Sequence, residues 1–437
     1  LFDLAMNRFR LPHLLLLLAA LLSASAIVLL FSRKPQPRDV APVAPVAVEA
    51  DPSPAPHGEQ PAPDAAPSVP SASADPAELV RRIAASLAAG DVDAVLSSIR
   101  GSVNGGEAEA LLKPLADGSL RVRDGEAVRE VGEMELNSRV RWSVALESAD
   151  GQSAGELQFD LKKSADGRWS VIRLSRVSVG SDQPDTAIPS GAEPLDAADA
   201  FLRAVLGRDF QSARRLTLPG TVNDAKIAGL CILFEEGSYR LRANKPLRAM
   251  FRRGDLAAFL ANVESADGEE RAQFSLTLQA ESAASWRVSE INLDSLLQDY
   301  ARHVAGGDIH YSPLVVNPSV GDTIALYFGF DEDEPGPRTL RQLEIIAKLL
   351  LGDPARKITL NGHTDAMGTA DYNLSLSQRR AETVRRHLVA SGVGETQIVT
   401  HALGASQPRR PNRTETGEDD PLGRRVNRRT EIYLDFE

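Results

Sequence analysis

Near the end of the chain runs Gly362-His-Thr-Asp365-Ala-Met-Gly368-Thr-Ala-Asp-Tyr372-Asn373-Leu-Ser-Leu376-Ser377-Gln-Arg-Arg380-Ala381. Before it, Ile358-Thr-Leu-Asn361 is a short apolar run bounded by turn-forming residues, as in a buried strand. After it, Ala381, Val384 and Leu388 recur at helical spacing. A strand therefore leads through a polar, glycine-containing turn into a helix. Working outward, Ile324, Leu326, Phe328 and Phe330 alternate with Ala325, Tyr327 and Gly329, which predicts a first strand with one strongly apolar face. A turn with Pro335 and Pro337 leads to the helical stripe Leu340, Leu343, Ala347 and Leu350, which stops at Gly352. A strand follows Ile398, and Ile432, Leu434 and Phe436 alternate in a closing one. The order βαβαβ with a final strand predicts an α/β sandwich over residues 320–437.

Gly362-His-Thr-Asp365-x-x-Gly368, Tyr372-Asn373-x-x-Leu376-Ser377-x-x-Arg380-Ala381, Gly404, Pro408, Asn412 and Arg424-x-x-Asn427-Arg428-Arg429 together resemble the OmpA-like peptidoglycan-binding domain. The resemblance covers the same 320–437 stretch. It implies a non-covalent grip on the peptide stem of peptidoglycan at meso-diaminopimelate, with the family's aspartate at Asp365 and its arginine at Arg380. The chemistry of the ligand agrees. Diaminopimelate ends in an ammonium and a carboxylate, so Asp365 can accept from the first and Arg380 can fork to the second, which a lysine would match less well. Arg380 is read as lying in the first turns of its helix, where a cation opposes the helix dipole. Such local inconsistency is expected where function overrides stability. Thr364 can offer a hydroxyl or an amide, Asn373 either holds the binding loop or touches ligand, and Arg428 joins the site by resemblance. His363 lacks partner ligands at metal spacing and is read as structural. One departure from the family pattern is the acidic insertion Glu418-Asp-Asp-Pro-Leu-Gly423 before Arg424, expected to lengthen a loop near the site.

The middle of the chain repeats itself. Glu147-Ser-Ala-Asp-Gly151 recurs as Glu264-Ser-Ala-Asp-Gly268, and Trp169-Ser-Val171 answers to Trp286-Arg-Val288 at the same offset. Upstream, Val80, Ile83, Ala84 and Leu87 answer to Ala198, Phe201, Leu202 and Val205, each set being one face of an amphipathic helix. Gly90-Asp91 and Arg208-Asp209 follow these helices. Alternating runs such as Arg139–Leu146 and Gln273–Leu278 read as half-buried antiparallel strands. Two tandem α+β repeats are expected, at 77–180 and 192–300, each a helix on a curved antiparallel sheet. Helix, turn, sheet and closing Trp-x-Val strand resemble the cystatin-like or nuclear-transport-factor-like folds, which implies room for a pocket between helix and sheet. Cys231 lies in an apolar run and reads as a buried structural thiol.

The first 76 residues differ in kind. Arg8 and Arg10 precede the nearly charge-free stretch Leu11 to Phe31, which ends at Arg33-Lys34 and is long enough to span a bilayer. Ala24-Ser25-Ala26 offers a signal-peptidase pattern, but the apolar run continues past it through Phe31, which favours a retained anchor over 6–34. From Pro35 to Pro76, 12 of the chain's 27 prolines fall within 42 residues. That composition predicts a disordered linker over 35–76, reaching at most roughly 130 Å as a polyproline-like chain.

The net charge of −11 argues against a nucleic-acid binder, and a single cysteine excludes a disulfide framework. No catalytic triad, His-Glu-x-x-His or paired-carboxylate pattern is found, so neither an enzyme nor a cofactor is expected. An ion-driven stator is disfavoured because Leu14 to Phe31 carries no ionisable residue to bind the driving ion. The expectation is an inner-membrane, single-pass protein with its bulk in the periplasm, tethering membrane to wall. The alternatives are a cleaved form, periplasmic or outer-membrane associated, and an accessory of an envelope or secretion complex. In that last reading, the middle repeats bind a protein or a small ligand.

Overall fold

A computed structural model describes residues 69–177, 193–282, 285–303, 311–317 and 321–434 of the protein. The expected anchor and most of the expected linker lie outside these residues. Among the described residues no helix is long and apolar enough to cross a membrane.

The chain from Ala66 to Glu437 forms one compact unit, built on three five-stranded sheets. The first part comprises α1 (Pro76–Ala88), α2 (Val92–Ile99), α3 (Gly105–Ala116), β1 (Leu120–Val122), β2 (Val128–Glu135), β3 (Arg139–Ser148), β4 (Ser153–Lys163) and β5 (Trp169–Val177). Its strands are antiparallel in the order β1-β3-β4-β5, with β2 also pairing β3. The predicted stripe of α1 is its buried face: Val80, Ile83, Ala84 and Leu87 all point into the core. Gly90, at φ 79°, makes the corner, and Asp91 accepts the amide of Ala94 at 3.0 Å to cap α2. Three helices therefore stand where one is expected; α2 is short and α3 carries Pro114, so neither gives a long periodic signal.

The second part comprises α4 (Pro194–Leu206), α5 (Phe210–Arg215), α6 (Asp224–Glu236), β6 (Tyr239–Leu241), β7 (Leu247–Arg253), β8 (Leu256–Ser265), β9 (Arg271–Ser282), β10 (Ser285–Asn292) and α7 (Asp294–His303). Its sheet order is β6-β8-β9-β10, with β7 also on β8, the same pairing scheme as the first. The recurring Glu-Ser-Ala-Asp-Gly string closes the β3–β4 and β8–β9 hairpins. In both, glycine supplies the left-handed residue, Gly151 at φ 81° and Gly268 at φ 78°. The aspartate of each accepts the serine hydroxyl and the amide two residues on.

The third part comprises β11 (Leu314–Asn317), β12 (Gly321–Tyr327), α8 (Pro337–Leu351), β13 (Ile358–His363), α9 (Ala370–Ala390), β14 (Ile398–Gly404), α10 (Pro421–Asn427) and β15 (Arg429–Tyr433). The sheet order is β11-β12-β15-β13-β14. The closing strand thus lies in the centre, antiparallel to both neighbours, while β13 and β14 are parallel.

Several expectations are corrected. The first strand of this sheet stops at Tyr327 rather than Phe330, because the chain turns through Asp331 at φ 59° and leaves Phe330 60% exposed. The sheet begins six residues before 320, since β11 pairs along β12. The linker reading extends too far: Val69 is buried, and Ser73 exchanges two backbone hydrogen bonds with Trp169, at 2.9 and 2.6 Å.

The hydrophobic core of the first part is largely its own. The second and third parts share one continuous core, from Leu195 to Ile432, which also takes in Val131 and Met134. At its centre is α6, whose residues from Ile227 to Phe234 are all buried. A side chain at Gly229 would come within 2.8 Å of Leu314, so glycine lets β11 press against this helix. Glu236 at the end of α6 accepts two hydrogen bonds from Arg338, at 2.6 and 2.9 Å, and Asp224 at its start pairs with Arg356 at 2.8 Å. First and second parts meet through Val131 and Met134, which join the second part's core, and through charge. Arg129 lies between Glu156 at 2.9 Å and Asp199 at 3.0 Å, and the fully buried Arg141 pairs with both Asp160 and Asp196.

Candidate functional site

At the carboxyl end of β13 the chain leaves the sheet through Thr364 to Thr369 and turns into α9. Gly362 permits this crossing: a Cβ there would sit 2.0 Å from the carbonyl oxygen of Ser377. Ser377 in turn takes the amide of Gly404 at 3.0 Å, which ties α9 to the end of β14. Gly368, at φ 93°, completes the turn, and Thr369 caps α9 by accepting the amide of Tyr372 at 3.2 Å.

These elements leave a cavity of about 260 Å³, lined by Thr364, Asp365, Asn373, Arg380 and Arg428 together with Phe330, Asp331, Met367 and Tyr372. All five residues singled out in the sequence are thus brought to one place. Arg380 is fully buried. It lies in the middle of α9, not in its first turns, so the helix dipole has no part in its cost. The cost is desolvation, which pulls the guanidinium down to about 10, with repulsion from Arg428 adding to it. Three backbone carbonyls hold it: Nε donates to Glu332 at 2.8 Å, Nη1 to His363 at 3.0 Å and Nη2 to Gly329 at 3.0 Å. The Phe328 ring lies 5.2 Å from it. No carboxylate pairs with it directly among the described residues. Of its five N–H groups two remain, one on each terminal nitrogen. A buried cation solvated by carbonyl dipoles, with donors to spare, is suited to an anionic group.

Asp365 is 4% exposed. One oxygen accepts the amide of Met367 at 3.1 Å, and the other faces Arg428 at 3.0 Å and Arg424 at 3.8 Å. The hydroxyl of Thr364 is buried without a hydrogen-bond partner, and the carboxamide of Asn373 makes no hydrogen bond among the described residues. Two polar side chains therefore line the cavity with unused capacity. His363 is buried and uncharged: burial, with Arg429 nearby, lowers it to about 4.

The acidic insertion does not lengthen a free loop. Asp420 accepts the amides of Leu422 and Gly423, at 3.1 and 3.0 Å, and so starts α10, whose far end presents Arg424 and Arg428 to Asp365. Asp419 holds Arg424 at 2.7 Å. Asn427 fastens the preceding loop by accepting the amides of Arg409 and Arg410 and by donating to Asn412, which itself takes the amide of Ala366 at 3.2 Å.

Sequence reasoning missed the aromatic and apolar rim of the cavity. Tyr372, 43% exposed, lay in the quoted motif, but Phe330 had been placed in a strand, and Met367, 50% exposed, carried no signal.

Comparison with known proteins matches the same part of the chain. The model of the OmpA family matches residues 327–420. The peptidoglycan-associated lipoprotein of Pseudomonas aeruginosa is 36% identical over 123 residues, which are 27% of this chain and 69% of that protein. The peptidoglycan-binding protein ArfA of Mycobacterium tuberculosis is 37% identical over 119 residues, 27% of this chain and only 34% of its own length. Among solved structures, the peptidoglycan-associated lipoprotein from Burkholderia pseudomallei is 34% identical, with a TM-score of 0.23, covering 25% of this chain and 89% of that one. Through its C-terminal part, the chain belongs to the OmpA family.

Proposed function

We propose that this is a cell-envelope protein that binds peptidoglycan non-covalently, taking the diaminopimelate end of a stem peptide into the cavity beside α9. The observation that carries the reading is the pairing, in one small cavity, of the buried Arg380, free of a carboxylate partner, with the carboxylate of Asp365. In this reading the ligand carboxylate takes the two remaining N–H groups of Arg380, and its ammonium takes Asp365 by sharing it with Arg428. Thr364 and Asn373 complete the shell. The protein acts by binding, with no catalytic step. The names of its relatives support the ligand class. The two middle parts, with one pairing scheme and one hairpin string, are read as tandem repeats of a single fold. The apolar run before Arg33 anchors the chain in the inner membrane, with the bulk in the periplasm. The tie to membrane raises the effective concentration near the wall, so modest affinity suffices.

The test is co-sedimentation with isolated sacculi. Asp365→Ala and Arg380→Lys variants, checked for native circular dichroism, are expected to remain in solution where the parent pellets, a loss of at least about tenfold in affinity for one charged contact. Lysine keeps the charge and serves one carbonyl but lacks the fork. Equal pelleting of all three would overturn the reading. A second role, docking of an envelope protein, is favoured by Met250, Phe251 and Leu256 on β7 and β8, which are 54%, 41% and 38% exposed.

A further inference from the structure

The edge strands of the first two sheets correspond residue by residue. Among the described residues β2 pairs only with β3 and β7 only with β8, and each is bulged in its middle, at Val131 and at Met250. Around the bulges, Arg129 stands opposite Ser143 as Arg248 stands opposite Leu260, and Gly132 opposite Arg141 as Phe251 opposite Ala258. These partners on β3 and β8 lie at the spacing of the recurring Glu-Ser-Ala-Asp-Gly string, which also makes Leu256 the counterpart of Arg139. What covers the two faces differs. On the first part a helix takes this face: Asp199 of α4 pairs with Arg129 at 3.0 Å, Asp196 pairs with Arg141, and Leu195 lies 3.1 Å from where a Cβ on Gly132 would be. Val131 is fully buried there. On the second part the counterparts are bare, with Met250 54%, Phe251 41% and Leu256 38% exposed. Arg248 keeps the place of Arg129. The carboxylate beside it, Glu133, is 3.6 Å away, beyond hydrogen-bond reach.

We propose that this face of the second part docks an amphipathic helix of another envelope protein, one with an apolar stripe and an acidic residue beside it. The inference names the partner for the docking role proposed above, and it rests on that role and on the reading of the middle parts as repeats. A helix is the occupant because a helix fills the counterpart face. Its acid answers Arg248 as Asp199 answers Arg129. Its stripe is apolar because Leu256 and Ala258 stand where the first part has Arg139 and Arg141, with Met250 and Phe251 alongside. Three part-exposed apolar side chains suit one helix rather than a folded domain, whose stable interface takes about 800 Å² from each partner. A second copy of the chain fits poorly. Its α1 is the counterpart of α4, and it would bring Arg81 to Arg248 where Asp199 meets Arg129. A bilayer fits no better, because the exposed Asp255, next to Leu256 in the turn, would have to enter with it.

The probe is a synthetic helix with leucines on one face and glutamates beside them, titrated by fluorescence anisotropy against residues 66–437, the compact unit. A twin with lysines for glutamates and a strand-forming peptide of alternating valine and glutamate are the controls. The acidic helix is expected to saturate, with the lysine twin at least about tenfold weaker. Phe251→Ser is expected to weaken the acidic helix at least about tenfold, the loss of one aromatic anchor, while sacculus pelleting stays as in the parent. Arg248→Gln is expected to narrow the gap between the acidic helix and its lysine twin to within about threefold. Both variants change exposed side chains, and circular dichroism checks their folding. No saturation by about 1 mM acidic helix, or Phe251→Ser binding it like the parent, would overturn the proposal. Equal or tighter binding of the strand-forming peptide, lost in Phe251→Ser, would overturn the helix and leave the docking role standing; binding of neither would remove both. Anionic vesicles that pellet the parent but not Phe251→Ser would put a bilayer on this face instead, and self-association with the same dependence would put a second copy there.

Discussion

Among single residues, His363 has the clearest consequence outside binding. It lies fully buried at the end of β13, and its nearest carboxylate oxygen, on Glu431, is 3.9 Å away. Its folded value of about 4 lies below the ordinary 6.5. The unfolded chain therefore takes up a proton first as pH falls, and the stability this residue contributes is whole above pH 6.5 and lost on the way to pH 4. Full loss amounts to about 3 kcal/mol. Urea denaturation between pH 7 and pH 4 is expected to show this decline, and His363→Gln is expected to flatten it. A parent whose midpoint does not move over that range would contradict the assignment. The same residue shows what sequence can tell. That it was structural followed from the lack of partner ligands. That it would sit uncharged depended first on its burial in the finished fold and then on Arg429, a neighbour 66 positions away that only the central placing of β15 brings near.

At the scale of elements, the motif that decided the fold was legible because its glycines and hydroxyls act locally. Gly368 and Thr369 each answer a steric or capping need within a few residues, and Gly362 answers the close approach of Ser377, inside the same motif. The rim was not legible, because Phe330 and Asp331 reach the cavity from the end of a different strand. Helix α10 could have been read: Asp420 followed by Pro421 is a cap followed by proline at the first helical position. The acidic run obscured it, since charge suggested a solvated loop. Because α10 carries Arg424 and ends at Arg428, its cap governs the site at a distance. Asp420→Ala is expected to lower stability by about 1 kcal/mol and to weaken sacculus binding, whereas Asp420→Asn, which still accepts the amides, is expected to preserve both. Identical pelleting of the alanine and asparagine variants would separate the helix from the site. The middle helices α2 and α3 were missed for the opposite reason, being too short and too interrupted to show a period.

For the molecule as a whole, the hydrophobic pattern located three sheets but could not tell which parts share a core. Helix α6 decides this. Its sequence, apolar on every side, is that of a helix covered all round, which neither neighbouring part could achieve alone. Calorimetry is therefore expected to show the second and third parts melting as one transition, with no separate event for the C-terminal part. Glu236→Ala, which strands Arg338 at the seam, is expected to lower that one transition by a few degrees, an effect of about 2 kcal/mol. Three resolved transitions would contradict the shared core.

A C-terminal part fused in this way to its neighbour behaves mechanically as the head of a hook whose shank is α6. Tension on any occupant of the cavity would pass from α9 through the sheet into α8 and then into α6, where it would act as shear across packed side chains and the Glu236–Arg338 fork. Nothing along that route is a tether that can swivel. The direction in which the cavity faces is thus set by the middle of the molecule, and a pull on whatever it holds would be felt there as torque.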